Sequence, residues 1–190
     1  MKKILFVFGI LLLVACGSIS PSNYTIAEQI YKSEIAIITY PTDIVDDWSR
    51  AVVQSPEQLI ESKKGHCWEQ TELARKLFNE SNIPNETYFI DVVINDLEET
   101  QTHTFLVFQQ DSEFYWFEHS WRKYPGIHKY NSLKELLSDV VRKMLDEEKE
   151  KGNNREIVRI REYSAPKLPT GHMDYFYHCL SSKEIKLEDL

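Results

Sequence analysis

Three residues of this chain are of the right types and order to share one reaction: Cys67, His103 and Glu118. Cys67 sits in Gly65-His66-Cys67-Trp68, just ahead of a helical run from Trp68 to Asn79. In that run Leu73, Ala74, Leu77 and Phe78 fall on one face, and Cys67 and Gln70 extend the face backwards at helical spacing. The cysteine therefore lies in the first turn. Unpaired N–H groups there, with the helix dipole, favour an anion and hence a thiolate. A thiolate nucleophile needs a base, and the base needs an orienting partner. His103 opens a strand-like run, Thr102 to Phe108, and Glu118 lies in the next, Phe114 to Trp121. A hairpin centred between Gln110 and Asp111 sets His103 directly opposite Glu118, with Cβ atoms ~4.5–5.5 Å apart. The carboxylate would then hold the ring towards Cys67. A one-residue slip would oppose His103 to His119 and turn Glu118 away, so the pairing requires an even-length turn.

The elements that must carry these residues can be placed by periodicity and caps. Ile26 to Tyr40 reads as a short helix or arm that Pro41 breaks, and Asp43 to Val53 as a helical turn or two carrying Trp48. Ser55-Pro56-Glu57-Gln58 has the form of a capping box with proline at the first helical position. That helix ends near Lys63-Lys64-Gly65, and Pro84 stops the cysteine helix. Tyr88 to Ile94 is rich in aromatic and β-branched residues and reads as a strand. Residues 123–131, with Pro125-Gly126, read as loop. Ser132 and Glu135 cap a helix whose apolar positions run from Leu133 to Leu145, with a charged tail to Lys151. Glu156 to Tyr163 and Asp174 to Leu180 read as strands, the second carrying Cys179. Helices followed by an antiparallel meander indicate an α+β fold in one domain, with the cysteine helix packed on the sheet.

The Gly-x-Cys-Trp motif at a helix start, a histidine opening a strand and an acid on the next strand resemble the transglutaminase-like superfamily, with its papain-like thiol fold. The resemblance covers roughly residues 50–125 within a domain at 26–190. It implies Cys67 as nucleophile, His103 as base and Glu118 as third member, where the family usually has Asp. It also implies acyl transfer or hydrolysis at an amide or peptide bond of a protein or peptide substrate, peptidoglycan peptides included, without metal or cofactor. The Cys67 backbone N–H is the natural oxyanion donor. Trp48 and Trp68 are candidate indole donors, and His119 a candidate substrate-facing residue.

Lys2 and Lys3 precede an apolar run from Ile4 to Ala15. The run is short for a membrane span and has the form of a signal peptide. Its end, Leu13-Val14-Ala15-Cys16-Gly17, resembles the lipobox of bacterial lipoproteins, in which Cys16 is lipidated. Residues 1–15 are then a leader and 16–25 a lipidated cysteine with a Ser-rich tether. The protein is expected on a bacterial membrane, anchored by lipid and facing away from the cytoplasm. The formal charge of −8 becomes −10 once Lys2 and Lys3 leave. With no basic stripe, nucleic acid is not an expected partner.

Other readings of the same residues stay open. Cys67 and Cys179 could form a disulfide outside the cytosol. Cys67, His103, His119 and Cys179 are a conceivable zinc set, although no close ligand pair supports it. A cell-wall cysteine peptidase would usually carry Ser-Gly after the cysteine, where Trp68-Glu69 stands here. A catalytically inactive lipoprotein that binds protein or cell wall would keep the fold with an inert Cys67.

Overall fold

A computed structural model describes residues 21–41, 47–92, 101–153 and 158–189. The leader, Cys16 and part of the tether lie outside these residues. In chain order the elements are α1 (Asn23–Ile30), β1 (Val52–Val53), α2 (Pro56–Ser62), α3 (Cys67–Glu80), β2 (Asn85–Val92), β3 (Gln101–Gln110), β4 (Glu113–Glu118), β5 (Gly126–Tyr130), α4 (Leu133–Glu150), β6 (Val158–Glu162), β7 (Thr170–Gly171), α5 (His172–Leu180) and β8 (Lys183–Ile185). A six-stranded antiparallel sheet runs in the order β5-β4-β3-β2-β6-β8, so the fold is α+β.

Alternation along the strands builds a core on each face of the sheet. Leu106, Phe108, Tyr115 and Phe117 pack with Ala27 and Ile30 of α1, Leu59 of α2, and Leu73, Ala74 and Phe78 of α3. Tyr88, Ile90, Phe105, Val107 and Trp116 pack with Leu136, Leu137, Val140 and Met144 of α4. α3 buries more than its apolar stripe: every residue from Cys67 to Arg75 is buried. Its polar side chains find partners instead of water. Glu72 accepts from the Tyr163 and Tyr175 hydroxyls, both at 3.1 Å, and pairs with Arg75 at 3.2 Å. On β2, the fully buried Asp91 is held by Arg159 (2.7 Å) and Arg161 (2.5 Å) of β6.

The capping box at Ser55 forms, with Ser55 N–H donating to Gln58 Oε1 at 2.9 Å. Of the box expected at Ser132 only half forms: Glu135 N–H donates to Ser132 Oγ at 3.1 Å, while the Glu135 carboxylate accepts from the Asn131 N–H instead. Three segments differ from the sequence reading. Asp174–Leu180 is helical, within α5, not a strand. Tyr175, Tyr177 and Cys179 mimic a period of two, but Tyr177 is 59% exposed while Tyr175 and Cys179, one helical turn apart, are buried. Residues 126–130 form the edge strand β5 rather than loop. Ile127 and Tyr130 pack on the cores while Lys129 is exposed, and the mixed run after Pro125-Gly126 reads as a turn. The segment Asp43–Val53 holds a three-residue 3₁₀ turn, Trp48–Arg50, followed by β1, and 42–46 are outside the described residues.

The hairpin between β3 and β4 turns on two residues, Asp111 (φ 51°) and Ser112 (φ 68°). Two left-handed residues match the twist of the flanking strands, and Asp tolerates that conformation. Gln110 therefore pairs with Glu113 and Leu106 with Phe117. The centre lies one residue further along than expected, so His103 and Glu118 are not directly opposed. The even turn length keeps both on one face, related diagonally.

Candidate active site

The turn before α3 is tightly held. α2 ends on Lys63 in the left-handed conformation (φ 55°), and the Thr39 N–H donates to the Lys63 carbonyl at 2.9 Å. The Gly65 N–H donates to the Thr39 carbonyl at 3.1 Å. A Cβ on Gly65 would lie 2.5 Å from Leu59 Cδ1 and 3.2 Å from Glu69 Cβ. Glu69 reaches back to accept the His66 N–H at 2.7 Å, capping the first turn. Gln70 Nε2 donates to the Gly65 carbonyl at 2.7 Å, and Gln70 Oε1 meets His119 Nδ1 at 2.7 Å. Burial lowers the His119 pKa, so its ring is neutral near pH 7 and donates from Nδ1. His119 is thereby a brace for the cysteine loop. Leu59 is fully buried and cannot simply step aside for a larger residue at 65. Gly65→Ala should lower stability by about 1–3 kcal/mol through overpacking, read as a fall in the urea midpoint.

The reactive side chains meet where two strands part. The β3–β4 ladder stops at Leu106 and Phe117, although β3 continues back to Gln101 and β4 on to Glu118. A cavity of about 700 Å³ opens there. Cys67, His103, Tyr40, Trp121 and Arg122 line it, with Met144 and Glu147 from α4. Cys67 is 4%, His103 7% and Glu118 2% exposed, so charges here are weakly screened.

Glu118 is fully engaged. Its Oε2 lies 2.6 Å from His103 Nε2. Its Oε1 accepts from Ser120 Oγ–H at 3.0 Å and from the Trp121 N–H at 2.8 Å. Burial opposes a charged carboxylate, but the His103 charge and these hydrogen bonds hold its pKa below the usual range. Burial likewise opposes a charged His103. The Glu118 charge and hydrogen bonds to Cys67 and Glu118 outweigh it and push the pKa up to about 10. The ring is thus an imidazolium at neutral pH, with Nε2 on Glu118 and Nδ1 left for the sulphur. Rings of Phe105 (6.1 Å, near parallel) and Trp121 (5.1 Å, edge-on) fix its plane. The Cys67 N–H sits in the first turn, where no carbonyl of the helix is available to it. An imidazolium beside a sulphur, with a free amide donor alongside, can activate a thiolate, protonate a leaving amine and hold an oxyanion.

The remaining candidates lie elsewhere. The Trp68 ring packs against His66 and His172, both centroids 4.7 Å away, and does not line the cavity. The Trp48 side chain is outside the described residues. Cys67 and Cys179 are both free thiols, packed in one cluster with Phe89, Tyr163 and Tyr175. Burial and the nearby Glu72 charge push the Cys179 pKa far up, so it is an inert thiol. Among the described residues no three His, Cys, Asp or Glu side chains converge to hold a metal. Tyr40 and Arg122 were not expected at the site. Neither belongs to a motif, and only the tertiary fold brings them to Cys67.

No protein-family model matches the chain, and no curated protein matches it.

Proposed function

We propose that this chain is a thiol enzyme that transfers or hydrolyses acyl groups of amides, with Cys67 as nucleophile, His103 as acid and base, and Glu118 as the group that orients and charges the ring. The observation that carries this reading is the buried His103 ring, bound to Glu118 at 2.6 Å and lining one cavity with the buried Cys67. The Cys67 thiolate attacks the amide carbonyl carbon and a C–S bond forms. The oxyanion meets the Cys67 N–H. His103 passes a proton to the amide nitrogen, the C–N bond breaks and the amine leaves. Water or a second amine then attacks the thioester, His103 takes its proton, and the thiolate is released.

The order Cys, His, acid, with the cysteine opening a helix and the other two on neighbouring antiparallel strands, supports a papain-like fold of the transglutaminase-like kind. The lipobox around Cys16 supports a lipid-anchored location on the outer side of a bacterial membrane. Asn23 and Tyr24 dock on the hairpin end of β3, through Gln109 and Gln110. His103 lies seven residues away along the strand, a rise of about 24 Å, which turns the cavity away from an anchor at that end.

The test is a burst experiment. The full-length protein in detergent is mixed with p-nitrophenyl acetate at pH 7, and nitrophenolate release is followed together with intact mass. The expected result is about one equivalent released with acetyl on Cys67, removable by hydroxylamine and absent in Cys67→Ser. No burst and an unmodified Cys67 would leave a non-catalytic lipoprotein that uses the fold to bind protein or cell wall.

A further inference from the structure

Among the described residues, the charges that line the cavity are paired, with one exception. Lys123 Nζ spans both oxygens of Glu150, at 2.8 and 2.6 Å. Glu147 accepts from Trp121 Nε1–H at 2.5 Å and pairs with Lys151 at 3.0 Å. His103 is matched by Glu118 at 2.6 Å. Arg122 is exposed, lines the cavity with Cys67, and makes no hydrogen bond or ion pair among the described residues. Tyr40 lines the same cavity as Arg122 and Cys67. Its hydroxyl has no hydrogen bond among the described residues either. Arg122 and Tyr40 therefore line one cavity with Cys67, neither having an acceptor among the described residues. An arginine fork suits a planar carboxylate, which it can bind through two parallel N–H donors. The chain as a whole is acidic, with a formal charge of −8, so this attraction for an anion is local rather than general.

Resting on the thiol-enzyme reading, we infer that Arg122, with the Tyr40 hydroxyl, selects acyl donors that carry a carboxylate close to the reacting amide. The substrates are then acidic amides or peptides, not neutral ones. Arg122 is a specificity residue: it touches substrate but none of the bonds that change.

Two alkylating probes of similar size test this without a known substrate. Iodoacetate carries a carboxylate one carbon from the atom attacked, and iodoacetamide is its neutral counterpart. In each case the thiolate displaces iodide and a C–S bond forms. Rates at Cys67 are read by peptide mass spectrometry on the full-length protein at pH 7 and low salt. Arg122→Ala should lower the iodoacetate-to-iodoacetamide rate ratio roughly fivefold, the reach of one exposed charge. Arg122→Lys should keep part of the preference. Lys129→Ala, an equal charge change on β5 outside the cavity lining, should leave the ratio unchanged. Raising salt from about 0.02 to about 0.5 M should shrink the wild-type preference. An unchanged ratio in Arg122→Ala overturns the inference. So does an equal fall with both probes, because Arg122 would then support only the thiolate. A wild-type Cys67 that reacts with neither probe overturns the thiol-enzyme reading itself.

Discussion

His103→Ala should slow acyl transfer from Cys67 by roughly 10²–10⁴-fold, the usual contribution of a positioned acid–base group. The same change should remove fast alkylation at low pH. A cationic ring lining the same cavity supplies a counter-charge where the three side chains are almost fully buried. Wild-type Cys67 should therefore react with iodoacetamide at pH 6 faster than in His103→Ala. Alanine also leaves a hole beside Phe105 and Trp121 and strips a partner from Glu118, so lost packing must be separated from lost chemistry. Added imidazole should restore part of the alkylation rate in His103→Ala. A purely structural defect would not respond to imidazole, and equal alkylation of the two proteins at pH 6 would refute the ion pair.

The chain states some of this site in local patterns and leaves the rest to tertiary structure. Cys67 was readable because helix spacing and the stop before it are local properties. His103 and Glu118 were readable because only parity mattered: the hairpin centre moved by one residue, yet a two-residue turn kept both on one face. The diagonal placement also gives the longer acid a purpose. Diagonal neighbours stand about 7–8 Å apart, and Glu reaches further than Asp by about one carbon–carbon bond. The parting of β3 from β4, which lets the start of α3 meet His103, had no signature in either strand. Nor did Tyr40 and Arg122, which come from loops 82 residues apart in the numbering. α5 was misread because aromatic residues at alternate positions satisfy a strand pattern until burial decides between Tyr177 and its neighbours.

Glu118→Gln should be almost as damaging as removing His103, although it changes a single atom type. The carboxylate accepts on both oxygens: from His103 on one, from Ser120 and the Trp121 N–H on the other. An amide can accept on only one. If its oxygen stays with Trp121, its NH₂ faces Nε2, which must then become an acceptor. The ring proton moves to Nδ1, towards the sulphur, and the neutral ring can no longer take a proton there. If the amide flips, its NH₂ meets the Trp121 N–H, leaving a buried donor unpaired. Either outcome should cost up to roughly 10⁴-fold in acyl transfer, the size of the wrong-tautomer effect in the Ser-His-Asp triad. Stability should report the same loss through pH. The His103 pKa rises from 6.5 to about 10 on folding, so its contribution is complete below 6.5 and disappears as pH climbs through about 10. The Glu118 pKa is lowered on folding, so its contribution is present above the usual 4.5 and is lost as pH falls through the depressed value. The difference in urea midpoint between wild type and Glu118→Gln should therefore be greatest between about pH 5 and 6.5 and shrink on both sides. A difference that stays flat from pH 6 to 10 would mean that Glu118 holds no proton on His103, and the acid would then be only a hydrogen-bonded strut.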